Sequence, residues 1–147
     1  MTGGYTMADK ENTADRRIFS LADFNTLSQS NKDLPTTDVD VPEWAEALGL
    51  PQLFVRIRML TGAERDKFET SLNTKTGNTL NVRARLVGLC AVDDKGARLF
   101  ADDKAIAELG KRSAAALDRL FDACRDFNKL REDSTTKRAE ELAESPN

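Results

Sequence analysis

The chain has 147 residues, with 22 Lys and Arg against 25 Asp and Glu, no histidine and a formal net charge of −3. This length fits one small domain with additional segments, since domains typically have ~100–150 residues. Histidine is the commonest general base among side chains, so its absence excludes several large classes of enzyme. The balanced charge argues against a dedicated nucleic-acid binder, and no apolar stretch approaches the ~20 residues that cross a membrane.

The first part of the chain is polar except for one short segment. Residues 1–17 are predicted to be disordered, as a start or tag region. Four apolar residues then recur at every third position: Ile18, Leu21, Phe24 and Leu27. This spacing approximates one face of an amphipathic helix. Because residues 28–37 are polar and include Pro35, we place a tethered amphipathic segment and its linker at 18–37.

Two segments with alternating polar and apolar residues are predicted to form an antiparallel strand pair. The first is 38–42, and the second is 53–59, where Val55, Ile57 and Met59 share one side. Between them, residues 43–49 are predicted to form one helical turn that ends at a glycine. A strand pair of this size is marginal alone and needs another layer to pack on.

The middle of the chain has helical signals. Thr61 and Glu64 have the spacing of a capping box at a helix N-terminus, and Phe68 and Leu72 supply its buried side. Residues 80–92 alternate as a strand would, but their apolar residues also line helical faces. The stretch is longer than the ~3–10 residues of a usual strand. We therefore predict a largely buried helix that includes Leu80 on its buried face.

Turn signals lie before and after this helix, and cap signals mark the next one. Residues 75–78 and 93–96 have the composition of turns. Asp102 or Asp103 can cap a brief helix, and Gly110 can end it.

The longest helix is predicted from Ser113 to about Leu130, because its apolar residues recur at steps of three and four. Residues 131–147 are strongly charged and are predicted to be a tail with a frayed helix. The fold prediction is mainly α: a small helical domain at 38–130 with a short N-terminal β-hairpin (α+β) and flexible N- and C-terminal tails.

Candidate catalytic groups are mostly carboxylates, and none of them has a convincing setting. Two carboxylates that share acid–base work need different environments, whereas the adjacent pairs at 93–94 and 102–103 lie in polar turns, where aspartates commonly cap or turn the chain. No phosphate loop, calcium loop or nucleophile elbow is present. Cys90 and Cys124 have apolar neighbours and are predicted to be reduced core residues. We predict no catalytic residue, cofactor or metal site, and no enzymatic activity.

Interaction with another chain is the remaining function. The apolar face at 18–27 is separated from the domain by a linker, and a hydrophobic helix on a tether is a common recognition device. Trp44 is the only tryptophan, and aromatic residues are enriched at interface hot spots. A lid over the strand pair is the favoured alternative for Trp44. The predicted partner-binding residues are Ile18, Leu21, Phe24, Leu27 and Trp44.

Residues 39–130 also carry a series of short motifs in a particular order. The motifs are VPEW at 41–44, VRIR at 55–58, LTGAERD at 60–66, NVRARLV at 81–87, VDDKG at 92–96 with LF at 99–100, and LGKRSAAALDRLF at 109–121. In this order the stretch resembles the tail assembly chaperones of long-tailed (siphovirus-like) bacteriophages and of prophages in Gram-positive bacteria. Residues 48–52 depart from the short hairpin connection that is usual in that family.

The resemblance implies a non-enzymatic role in viral tail assembly. Such chaperones coat and solubilise the long helical tape measure protein and help to recruit tail tube subunits, which then displace them. The implied partners are the tape measure protein and the tail tube protein. A homo-oligomer is a further option, and neither a nucleic acid nor a membrane is expected as a partner. The implied location is the host cell cytoplasm during assembly, with absence from the mature virion.

Two other classes of protein stay open. A small helical regulatory or DNA-binding protein of phage or prophage origin would need a basic recognition helix, whereas the helix from Ser113 carries both signs of charge. Salt-dependent binding to duplex DNA would support that alternative. An enzyme that uses carboxylates alone would need a carboxylate with a strongly raised pKa in a concave pocket.

Overall fold

The computed structural model describes residues 16–72 and 80–130. Contacts divide the chain into two units, Met1–Asp33 and Leu34–Asn147. About 51% of the described residues are helical, in six helices, and a three-stranded antiparallel sheet accompanies them. The fold is therefore mixed α+β, which confirms the α+β part of the prediction and the antiparallel strand pair. The prediction of a mainly α domain is wrong, because a third strand completes the sheet. The predictions for 1–15, for the turn at 75–78 and for the tail at 131–147 concern residues outside the described ranges.

The described part of the first unit contains one short helix, α1 (Leu21–Ser28). The helix predicted in this segment is present, but Ile18 precedes it, because Ser20 is its N-cap. None of the residues of α1 is buried.

Three strands form the sheet of the second unit. They are β1 (Thr36–Asp40), β2 (Phe54–Arg58) and β3 (Ala91–Val92), in the order β1-β2-β3 with antiparallel pairing throughout. The alternation predicted for the second strand is confirmed for Val55 and Ile57, which are buried. Met59, predicted on the same side, follows the strand and is half-buried. Arg56 lies on the opposite face, where its guanidinium donates to both carboxylate oxygens of Asp38. Pro42, which was predicted to lie in the first strand, begins a helix instead.

Five helices accompany this sheet in the described residues of the second unit. They are α2 (Pro42–Ala47), α3 (Gly62–Leu72), α4 (Val82–Cys90), α5 (Asp103–Leu109) and α6 (Ala114–Phe127). Their predicted N-terminal signals are confirmed. Thr61 and Glu64 form a capping box before α3, Asp102 caps α5, and Ser113 caps α6. In each case a side-chain oxygen satisfies a backbone N–H that the first helical turn leaves without a partner.

The helix predicted at 80–92 is shorter than expected at both ends. Ala91 and Val92 form β3, because pairing with the central strand β2 satisfies their backbone while both side chains are buried. At the other end, Leu80 was predicted on the buried face, but its exposed fraction is 77%. Asn81 has a left-handed backbone (φ 54°) at the start of α4, which turns the preceding residue away from the core.

The hydrophobic core lies between α4, α6 and the inner face of the sheet. The apolar face predicted for α6 is confirmed, and its buried residues are Ala116, Leu117, Leu120 and Cys124. In α4, Gly88 allows α5 to approach closely, since a Cβ there would lie 2.9 Å from Cγ1 of Ile106. Cys90 and Cys124 are free and buried, as predicted. Hydrogen bonding to Cys90, together with burial, raises the pKa of the Cys124 thiol.

Asn128 is the buried polar residue of the described core. Its Oδ1 accepts the Leu60 N–H at 2.7 Å, and its Nδ2 donates to the Cys124 carbonyl at 2.9 Å and to Cys90 Sγ at 3.6 Å. The side chain therefore joins the segment after β2 to the C-terminal ends of α4 and α6. Because Asn128 is also the C-cap residue of α6, this helix ends before Leu130, which is buried.

Replacement of this amide tests how much it contributes to the free energy of unfolding. We expect Asn128→Ala to lower the free energy of unfolding by about 2–4 kcal/mol, because the buried Leu60 N–H loses its acceptor and a small cavity remains. Urea unfolding followed by circular dichroism measures the change. Gln52→Ala, at an exposed position, is the control and should stay within about 0.5 kcal/mol of the wild type. A loss at Asn128 no larger than that of the control would contradict the role given to the amide.

A second polar connection lies between β2 and α3. Nη1 and Nη2 of Arg58 each donate to the Glu64 carboxylate at 2.8 Å, and Glu64 also accepts the Thr61 N–H at 2.9 Å. The hydrogen bonds from Arg58 are the main cause that lowers the pKa of Glu64 from 4.5 to about 2. A carboxyl group whose pKa is lower in the folded than in the unfolded protein stabilises the fold at pH values above the unfolded pKa. This stabilisation is lost as the pH falls through the folded pKa.

Glu64→Gln should therefore destabilise the protein by about 1–2 kcal/mol at pH 7, as expected for a partly exposed charge-assisted pair. The unfolding free energies of the variant and the wild type should converge as the pH falls from about 4.5 to about 2. Urea unfolding at a series of pH values measures both effects, with Glu46→Gln on the exposed side of α2 as the control. A difference that persists unchanged at pH 2 would show that the carboxylate charge is not its cause.

Candidate functional site

The N-terminus of α1 is fixed by two reciprocal hydrogen bonds. Ser20 Oγ accepts the Asp23 N–H at 3.1 Å, and Asp23 Oδ2 accepts the Ser20 N–H at 3.0 Å, which together form a capping box. These bonds, together with an ion pair to Arg17, lower the pKa of Asp23. Isolated helices shorter than ~12–15 residues are marginal in water. The cap is therefore important for a helix of 8 residues that buries none of them.

An aromatic pair strengthens the same helix end. Phe19 precedes the N-cap and Phe24 is the fourth helical residue, and their rings meet edge to face with centroids 6.4 Å apart. An apolar contact between these two positions is a hydrophobic staple, which fixes the direction in which the chain enters a helix. Sequence reasoning missed Phe19. The signal that could have found it was an aromatic residue on each side of the Ser20 and Asp23 capping box.

The apolar residues of this segment are largely open to solvent. Ile18, Phe19 and Leu21 are each more than half exposed, and Phe24 is 51% exposed. Leu27 is half-buried. The described segment therefore brings four of the predicted partner-binding residues onto one short stretch with a preformed helix. A concentration of exposed apolar side chains typically marks an interaction surface.

Trp44, the fifth predicted residue, belongs to the second unit. It lies on α2, is half-buried and packs against the hydrophobic core. It also lines a groove with a volume of about 600 Å³, which we call the Trp44 groove. The apolar part of its lining is Trp44, Ala47, Leu48, Phe100 and Leu109. Trp44 is thus in contact with the core and also forms part of an open apolar surface.

A protruding leucine borders the Trp44 groove. Leu48 follows α2 and is 66% exposed. Its backbone N–H donates to the Trp44 carbonyl at 3.0 Å, and the Leu50 N–H donates to the Ala45 carbonyl at 2.8 Å. Gly49 between them has φ 71°, a left-handed conformation that glycine adopts without strain. Sequence reasoning did not select Leu48, because one exposed leucine has no periodic signal.

The rim of the Trp44 groove carries charges of both signs. Glu43 accepts two hydrogen bonds from Arg119, at 3.0 and 2.9 Å, which connect α2 to α6. Lys111 donates to Glu108 at 2.9 Å. These hydrogen bonds are the main cause that lowers the pKa values of Glu43 and Glu108. All of these side chains are at least partly exposed, so each pair contributes little to stability.

A second cavity, of about 590 Å³, lies between α3, α4 and α5. Its walls include Phe68 and Ile106 together with the basic residues Lys67, Arg85 and Arg98. Arg98 has a structural role there, since its guanidinium donates to the backbone carbonyls of Gly88 at 3.0 Å and Phe100 at 2.8 Å. Burial lowers the pKa of Arg85.

Several candidate carboxylates have the turn and cap roles that their sequence context predicted. Asp93 Oδ1 accepts the backbone N–H groups of Lys95 and Ala97, at 2.8 and 3.0 Å, and closes the turn before Arg98. Asp102 caps α5. Within residues 16–72 and 80–130, no three histidine, cysteine, aspartate or glutamate side chains are grouped so that they could hold a metal ion. No helix in these ranges is long and apolar enough to cross a membrane.

The local origin of α1 can be tested by removing its cap. We expect Ser20→Ala to lower the helicity of α1, because an N-cap serine contributes about 1 kcal/mol and this helix has no buried residue to compensate. Backbone ¹³C chemical shifts across Leu21–Ser28 measure the effect, with the shifts of Ala114–Phe127 as the internal control. An unchanged α1 in the variant would mean that the capping box does not hold the helix.

Comparison of the chain with known protein families, curated proteins and solved structures gives no match.

Proposed function

We propose that this chain is a tail assembly chaperone of a long-tailed bacteriophage or prophage. In this role it binds and solubilises the tape measure protein and helps to recruit tail tube subunits, in the host cell cytoplasm and without entering the mature virion. The observation that carries the proposal is α1, a capped and stapled helix on which Leu21 and Phe24 are exposed. The proposal also rests on the order of the motifs between residues 39 and 130.

The exposed residues of α1 suit a client that is itself helical and amphipathic. A short helix with apolar residues at every third position can lay them along the apolar face of a second helix. Phe24 and Leu21 would supply most of the buried area, because aromatic and leucine side chains gain the most from leaving water. The capping box and the staple hold the helix before the client arrives, which reduces the entropy that binding has to overcome.

A chaperone that must later be displaced needs modest affinity at each contact. A single helix of 8 residues offers few apolar side chains, so one copy should bind weakly. Many copies along one long client would add their contributions, because each additional copy engages a site on the same chain. Tube subunits can then remove the copies one at a time.

The second unit fits a supporting role better than a chemical one. Its apolar residues are largely committed to the core between α4, α6 and the sheet, and its aspartates at 93 and 102 hold turns and caps. Charged residues make up 32% of the chain, which favours solubility of a complex with an apolar client. These observations support a binding protein and assign it no catalytic step.

Co-expression with the tape measure protein of the same genome tests the proposal. We expect the wild-type chain to keep that client soluble and to co-purify with it. Phe24→Asp should lose at least about tenfold in the recovered complex, since it places a charge in the binding face. Phe54→Asp is a closely matched control, because Phe54 is 50% exposed against 51% for Phe24 but lies on the sheet of the second unit.

The melting temperatures of both variants are measured beside the complexes. The proposal predicts that Phe24→Asp melts close to the wild type, because α1 has no buried residue. If the client stays insoluble with the wild-type chain and no complex forms, the chaperone function is contradicted. Salt-dependent binding to duplex DNA by the same preparation would instead support the regulatory alternative.

A further inference from the structure

We propose that the Trp44 groove and Leu48 form the interface of a symmetric dimer, in which a second copy of this chain occupies the groove. Leu48 of each copy would insert between Trp44 and Phe100 of the other. The proposal concerns the second unit alone and does not depend on which client α1 binds.

A protrusion and a depression lie side by side on this surface. Leu48 is 66% exposed and lines the same groove as Trp44 and Phe100. A two-fold axis makes each contact occur twice, so that residue i of one copy meets residue j of the other and the reverse. A surface that offers both the inserted side chain and the pocket for it satisfies this requirement by itself.

The protrusion is already ordered within one chain. Hydrogen bonds from the Leu48 and Leu50 backbone N–H groups return to α2, and the left-handed Gly49 completes the turn between them. An anchor whose backbone is fixed before association loses little conformational entropy on binding. Leucine in a pocket lined by two aromatic rings also leaves water almost completely.

The charges on the rim of the groove also fit a second copy. Glu43 and Glu108 are acidic, whereas Lys111 and Arg112 are basic, so the four charges around the apolar centre balance. A partner of one dominant charge would find like charges opposite it, but a second copy rotated by half a turn can place acidic residues against basic ones. The pairs within one copy are exposed and worth little, so they can exchange for pairs across the interface.

The size of the surface predicts a weak dimer. The groove is lined by 10 residues, whereas a standard stable interface has about 20–30 residues on each side. We therefore expect a dissociation constant in the micromolar range, about 1–100 μM. Such a dimer would present two copies of α1, and two linked sites bind a long client more tightly than one.

Sedimentation equilibrium of the full chain, from about 1 to 500 μM, tests the dimer directly. The wild type should change from monomer to dimer across this range. Leu48→Asp should raise the dissociation constant by about tenfold or more, because it buries a charge at the centre of the interface. Leu80→Asp is the control and should leave the dimer unchanged, since Leu80 is 77% exposed but does not line the Trp44 groove.

A charge exchange identifies the interface as symmetric. Glu108→Lys makes the rim predominantly basic and Lys111→Glu makes it predominantly acidic, so each variant alone should dimerise at least about tenfold more weakly than the wild type. An equimolar mixture of the two variants should restore a dimer that contains one chain of each. Native mass spectrometry distinguishes this mixed dimer when one variant carries an isotope label.

Three results would overturn the proposal. One is a wild-type chain that remains monomeric throughout the range, and another is a dimer that Leu48→Asp does not weaken. The third is a mixture of the two charge variants that stays monomeric. A dimer that Phe24→Asp abolishes while Leu48→Asp leaves it intact would place the contact on α1 and would also count against the groove.

Discussion

The buried amide of Asn128 is the interaction on which the second unit most depends. Its three hydrogen bonds reach Leu60, Cys124 and Cys90, which belong to parts of the chain that are far apart in sequence. A typical hydrogen bond adds only ~1 kcal/mol, but a buried group left without a partner costs ~1–3 kcal/mol. The amide therefore selects one arrangement of α4, α6 and the segment after β2, while the apolar core around it supplies most of the free energy.

The two units use their apolar residues in opposite ways. In the second unit, α4 and α6 bury theirs in the core, and Trp44 packs against that core. In α1, Leu21 and Phe24 are exposed, and the helix is held by the Ser20 and Asp23 capping box and the Phe19 staple. A helix stabilised from its own N-terminus keeps its apolar face available for another chain, and this is the physical basis of the proposed function.

Local signals in the sequence predicted much of this structure. The caps at Asp102 and Ser113 were found correctly, because a capping side chain and its backbone partner lie within one helical turn. The third strand could not be found in this way. Ala91 and Val92 continue a helical pattern, and only the presence of β2 beside them makes a strand more favourable. Asn128 was missed for the same reason, since its main partner is distant in sequence.

In the candidate site, likewise, spacing found the apolar residues of α1, whereas Leu48 depends on a glycine turn and a groove that only the folded chain creates.

The most direct measurement of the central claim is an amide chemical-shift titration of the ¹⁵N-labelled chain with an amphipathic helical peptide from its tape measure protein. The account predicts that the largest changes fall on α1 and the residues just before it, while the amides of α4 and α6 barely move. Changes confined to the second unit, with α1 unaffected at saturating peptide, would contradict it.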